Sequence, residues 1–251
     1  MSNPKGWKVV TYKDMEEGNT EEKEIQEEEV KERPKEKRPL IWGDLNSRAF
    51  WKRNIFPVFL EAAFLILLFK NPNDILYINF FFYFVLFCYY LITKSFTFRN
   101  LIRNFKSGGH FWRATGVCSL LFAFTLILTF VLGIIFPNLY SGFFAPRMGD
   151  HLSIVIFAVT TMFLAPIVEE VFYRGNMINL ESKSFRAIST VASLLLYAII
   201  HSFSWWGIVS VIIWGIPFTL VFIKTRNVYI TMTAHLIISI LTCIPIIIAV
   251  I

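Results

Sequence analysis

Seven apolar stretches divide this 251-residue chain, at 55–69, 75–93, 115–136, 152–173, 187–203, 206–223 and 228–250, with polar or basic segments between them. Most approach the ~20 residues that a helix needs to cross a bilayer. The pattern predicts an all-α polytopic membrane helix bundle of about seven transmembrane helices. Lys and Arg are frequent before the first, third, fifth and seventh stretches and sparse in the loops between those, which places the N-terminus in the cytoplasm of a multi-pass cell-membrane protein and the C-terminus outside. The first stretch is the least regular, because it is short and carries Pro57 and Glu61.

Residues 1–45 are of another kind. Their run NTEEKEIQEEEVKERPKEKRP has two strongly apolar positions, Ile25 and Val30, and is broken by Pro34 and Pro39, so it cannot bury enough surface to fold alone. It is expected to be a charged, disordered cytoplasmic tail ahead of a membrane domain at 46–251. Trp42 and Trp51 beside Lys52 and Arg53 suit an interfacial anchor. In the segment 94–114, Phe98, Leu101, Ile102 and Phe105 fall on one helical face among Arg99, Arg103 and Lys106. That spacing predicts a helix lying on the cytoplasmic surface and closed by a Gly108-Gly109 turn.

Composition narrows the class. The chain is 55% hydrophobic and 17% aromatic with a mean hydropathy of +0.57, too apolar for one soluble domain. Its net charge of +6 does not point to nucleic acid, since the basic residues flank the membrane segments and the tail is balanced by acids. They fit contacts with anionic lipid headgroups. Cys88, Cys118 and Cys243 all fall in apolar stretches without a CxxC spacing and are expected to be unpaired. The polar N-terminus does not resemble a cleavable signal peptide.

Against this background two adjacent carboxylates, Glu169 and Glu170, stand out in the apolar run IVIFAVTTMFLAPIVEEVFYRG. Ionisable groups at membrane depth are expensive and normally mark a functional site. Glu170 and Arg174, Tyr197 and His201, and His235 and Ser239 are each four residues apart, so each pair shares a helical face. Glu170 is thus expected to pair with Arg174, while Glu169, turned about 100° away on an α-helix, has no local cation and suits a general base or acid. If the fourth helix runs to about Leu180, Glu169, His201 and His235 lie roughly 17, 24 and 12 Å from the cytoplasmic turns, close enough in depth to meet inside the bundle.

EEVFYRG, then SLLLYAIIHSF, then AHLIIS, in that order and in separate apolar helices, resembles the CAAX-protease and bacteriocin-processing (Abi) family of intramembrane proteases. The resemblance covers roughly 152–245. It implies an endopeptidase acting on membrane-associated peptides or proteins, such as bacteriocin or pheromone precursors, with the lipid bilayer and a peptide as partners and no nucleic acid. It also implies that Glu169 activates water with help from His201, that Glu170 and Arg174 hold the helix or the substrate, and that His235 helps to stabilise the oxyanion. Two positions depart from the family pattern. Tyr197 replaces the usual phenylalanine, and Ser239 stands where asparagine is common, which shortens a possible oxyanion donor.

Other readings remain open at this level. Glu169, His201 and His235 are the ligand types of a catalytic zinc site, although a metal-free mechanism is favoured because a metal-bound Glu169 is no longer free as the base. A non-catalytic immunity or scaffold protein and a transporter are the non-enzyme alternatives. No HExxH motif and no membrane aspartate pair supports another protease chemistry. Glu61 is expected to be structural, pairing with Lys52, Arg53 or a neighbouring helix. His110 and His151 are read as surface residues, the run FFFYFVLF at 80–87 as lipid-facing bulk, and Pro166 as a kink before the glutamates.

Overall fold

The computed structural model describes residues 48–137, 148–180 and 183–250, so the tail expected at 1–45 lies outside the described residues. Eight helices follow in order: α1 (Arg48–Lys70), α2 (Ile75–Ile92), α3 (Phe98–Phe105), α4 (Gly109–Ile135), α5 (His151–Asn176), α6 (Lys183–Ile199), α7 (Trp205–Thr225) and α8 (Val228–Val250). Among the described residues there is no β-strand, and the all-α membrane bundle stands.

Five segments are long and apolar enough to cross a membrane: Pro72–Ile92, Gly109–Ile135, His151–Asn176, Trp205–Thr225 and Val228–Val250. The count of about seven is therefore approximate. The two remaining stretches correspond to α1, which has the length but carries Lys52, Arg53, Glu61 and Lys70, and to α6, whose apolar part, Phe185–Ile199, is shorter than a span. The third stretch begins earlier than expected, because Gly108, at φ 94°, turns the chain directly into α4 at Gly109. The short α3 starts on a Thr97 cap, whose side chain accepts from the Asn100 amide, and buries Leu101 while Phe98 and Ile102 stay exposed.

A capping box begins α5: the Ser153 amide donates to Asp150 Oδ1 at 2.7 Å, and the Asp150 amide donates to Ser153 Oγ at 3.1 Å. The helix then changes gauge twice. An α-helical start gives way to a π-helical segment, Thr160–Leu164, then one α turn, Ala165–Glu169, then a second π-helical segment, Glu170–Asn176. Pro166 lies in the short α turn. Its missing N–H and bulky ring disfavour the regular i→i−4 pattern, and the wider turn ahead of it absorbs both. The helix stops at Asn176 rather than Leu180, and the following Met177, Ile178, Asn179 and Leu180 are buried.

Helices α4, α7 and α8 pack together, α6 packs on α7, and α2 packs on both α1 and α5. Polar contacts fix their register: Trp214 Nε1 donates to Thr129 Oγ1 at 2.9 Å, and Asn227 Nδ2 donates to Asn104 Oδ1 at 2.7 Å. Helices α6 and α7 approach closely at Gly215, where an added Cβ would lie 2.7 Å from Leu194 Cδ2 and 3.3 Å from Tyr197 Cδ1. All three cysteines are free, as their spacing predicts.

Candidate active site

The Glu169–Glu170 pair sits where α5 passes from α to π geometry, and the two side chains leave in different directions. Glu170 and Arg174 are both fully buried and pair at 3.2 Å across one turn. The guanidinium also donates from Nη2 to the Gly215 carbonyl at 3.4 Å and lies over the rings of Tyr197 and Phe218, 4.6 and 5.4 Å from their centroids. Two aromatic faces and a carboxylate thus surround a cation that water does not reach.

Glu169 faces a cavity of about 200 Å³, lined also by Asn79, Tyr83, Thr160, Thr161, His201, His235 and Ser239. Its Oε1 lies 3.5 Å from His201 Nε2, and its Oε2 lies 3.9 Å from His235 Nε2. The three residues separated by 32 and 34 positions in the chain therefore meet at one wall. His201 reaches that wall from a turn, not from a helix, because α6 ends at Ile199. Ser204 caps α7 by accepting from the Gly207 amide at 2.9 Å, so the apolar run through 203 is broken by the start of the next helix.

Both imidazoles are anchored through Nδ1. His201 Nδ1 is 2.7 Å from the Tyr197 carbonyl oxygen, and His235 Nδ1 is 3.1 Å from Glu170 Oε1. A carbonyl or carboxylate oxygen only accepts, so each Nδ1 carries the proton. Each neutral ring then turns an acceptor, Nε2, to the cavity. An N–H from His235 toward the cavity requires the doubly protonated ring. Tyr197 contributes its carbonyl and its ring face, which packs 4.6 Å from the His201 ring. Phe218 stacks on His235 at 4.8 Å.

One member of the site comes from the run FFFYFVLF, against the expectation that this run is lipid-facing bulk. Phe81 and Phe84 are indeed exposed, but Tyr83 is buried and its hydroxyl donates to Glu169 Oε1 at 2.5 Å. The sequence did contain a signal for it, since Asn79 and Tyr83 are two polar groups one helical turn apart amid phenylalanines. Glu61 pairs with neither Lys52 nor Arg53. Tyr173 on α5 donates to its Oε1 at 2.9 Å, the neighbouring-helix alternative. His110 and His151 are exposed and apart from the site.

Two imidazole Nε2 atoms and a carboxylate are suitable donors for zinc, and anchored Nδ1 atoms are usual behind such ligands. Their spacing fits less well. Among the described residues no three His, Cys, Asp or Glu side chains gather closely enough to hold a metal ion, and Glu169 Oε1 already accepts from Tyr83.

No curated protein and no solved structure matches the chain. Residues 151–241, which hold Glu169, Glu170, Arg174, His201, His235 and Ser239, match the family model described as type II CAAX prenyl endopeptidase Rce1-like, the same kind of protease that the motifs resemble.

Proposed function

We propose that this multi-pass membrane protein is an intramembrane endopeptidase that hydrolyses peptide bonds of membrane-associated peptides or proteins, of the bacteriocin- or pheromone-precursor type, by a water molecule activated at Glu169. The observation that carries this reading is the convergence of a buried carboxylate with two Nδ1-anchored histidines on a cavity inside a bundle of membrane-length helices. A water held between Glu169 and His201 donates one hydrogen to the carboxylate and the other to His201 Nε2, which leaves its lone pair free for the scissile carbonyl carbon. Glu169 takes a proton as the oxygen adds and returns it to the amide nitrogen as the C–N bond breaks, giving a carboxylic acid and an amine. Neutral His235, oriented by Glu170, steadies the protonated Glu169 through Nε2, and it acts on the oxyanion when it is itself doubly protonated. Glu170 and Arg174 hold the helix that presents Glu169. No step passes through a metal. The test is turnover of a fluorogenic farnesylated peptide in proteoliposomes: cleavage by the wild-type protein and none by Glu169→Gln is expected, and equal cleavage by both removes Glu169 from the mechanism.

A further inference from the structure

The cavity beside Glu169 is rich in acceptors and poor in donors. With each ring neutral and its Nδ1 protonated, both Nε2 atoms accept, as the carboxylate does. Of the hydroxyls, that of Tyr83 is committed to Glu169, and that of Thr160 donates to the Ile156 carbonyl at 2.7 Å. A tetrahedral oxyanion formed here needs donors already in place, since groups that must reorganise or be protonated first give less stabilisation. The remaining donors on the cavity wall are the Thr161 and Ser239 hydroxyls and the Asn79 amide, for which no hydrogen-bond partner is present among the described residues. Asn79 is the strongest of these. It is half-buried, carries two N–H groups, and lies on the face of α2 that presents Tyr83 one turn later.

We infer that Asn79 is a catalytic residue whose side-chain amide, together with the Ser239 hydroxyl on the same cavity, donates to the oxyanion formed when water adds to the substrate carbonyl. This inference rests on the peptidase reading above. As the water oxygen bonds to the carbonyl carbon, the π electrons move to the carbonyl oxygen, which accepts from Asn79 Nδ2–H and Ser239 Oγ–H. No proton is transferred in that contact, and collapse of the intermediate restores the carbonyl. The donor comes from α2, outside the segment 151–241 that carries the glutamate and histidines. A short serine at 239 is then compatible with catalysis, because the Asn79 amide supplies the longer donor on the same cavity.

The test compares wild type, Asn79→Ala, Asn79→Asp, Asn79→Ser and Ser239→Ala in proteoliposomes, with two readouts. One is kcat and KM for the farnesylated fluorogenic peptide. The other is affinity for a peptidyl phosphinate of the same sequence, a tetrahedral anion, relative to the uncleaved amide. Asn79→Ala is expected to lower kcat by about 100-fold with KM within about twofold, and to weaken phosphinate binding by a similar factor while amide binding is unchanged. Asn79→Asp keeps the shape and loses the donor, so it falls at least as far, whereas Asn79→Ser recovers part of the loss. Wild-type kcat and phosphinate affinity in Asn79→Ala overturn the proposal even if turnover depends on Glu169. If the wild-type protein does not cleave the probe, unchanged phosphinate affinity in Asn79→Ala still overturns it. Asn79-dependent phosphinate binding in that case sustains it and assigns the failure to the peptidase reading or its probe.

Discussion

The Tyr83 hydroxyl, on α2, donates a 2.5 Å hydrogen bond to Glu169 Oε1 on α5, joining positions 86 residues apart in the chain. That bond fixes which carboxylate oxygen is engaged and leaves Oε2 turned toward His235. Tyr83→Phe fills the same volume and removes the donor, so the fold should survive. A hydrogen bond to a charged acceptor contributes about 1.5–3 kcal/mol, and the substitution is expected to reduce kcat about 10- to 100-fold with little change in KM. Unchanged kcat in proteoliposomes would show that Glu169 needs no help from α2.

The buried Glu170–Arg174 pair makes a separate prediction about stability. Removing one partner leaves an uncompensated buried charge and costs about 3–5 kcal/mol. Arg174→Ala and Glu170→Gln should therefore each lower the thermal midpoint in detergent, and the double variant should cost less than the two added together. Additive losses would mean that the 3.2 Å contact carries no coupling.

These two relationships differ in how far they could be read from sequence. Glu170–Arg174 was legible because charge is rare in an apolar helix and a four-residue spacing puts both groups on one face. Glu169, His201 and His235 stood out for the same reason. Tyr83 did not, because an amphipathic ring among phenylalanines raises the local hydropathy as they do, and its hydroxyl is visible only as a partner. The two π-helical segments of α5 were equally hidden, since a continuous apolar run has no periodicity that separates 3.6 residues per turn from a wider turn. The fifth apolar stretch, 187–203, is as long as α6 but lies four residues further along, because Ile200 continues the apolar run, whereas Ser202 and Ser204 are the polar residues that mark the turn and the cap of α7.

The orientation proposed from the basic loops has its own check. In a cysteine-free variant, a single cysteine at Lys106 is expected to be protected from an impermeant thiol reagent in intact cells, and one at Asp150 is expected to label. The opposite pattern would invert the orientation of α4 read from the basic loops.

Metal dependence is decided by removing metal. Protein purified in detergent and treated exhaustively with a membrane-permeant chelator should keep its turnover of the farnesylated peptide, because Tyr83 and the two Nε2 acceptors organise Glu169 and its water without an ion. Stoichiometric zinc whose removal stops cleavage and whose return restores it would replace the water-activation scheme, with Glu169, His201 and His235 as ligands.

The most direct test of the central claim is comparative peptide profiling of membranes from cells expressing the wild-type protein or Glu169→Gln at matched levels. The account predicts one or more cleavage products that require wild-type Glu169 and whose termini map within or beside apolar segments of their precursors. Identical peptide profiles from the two membranes, with both proteins inserted and folded, would contradict it.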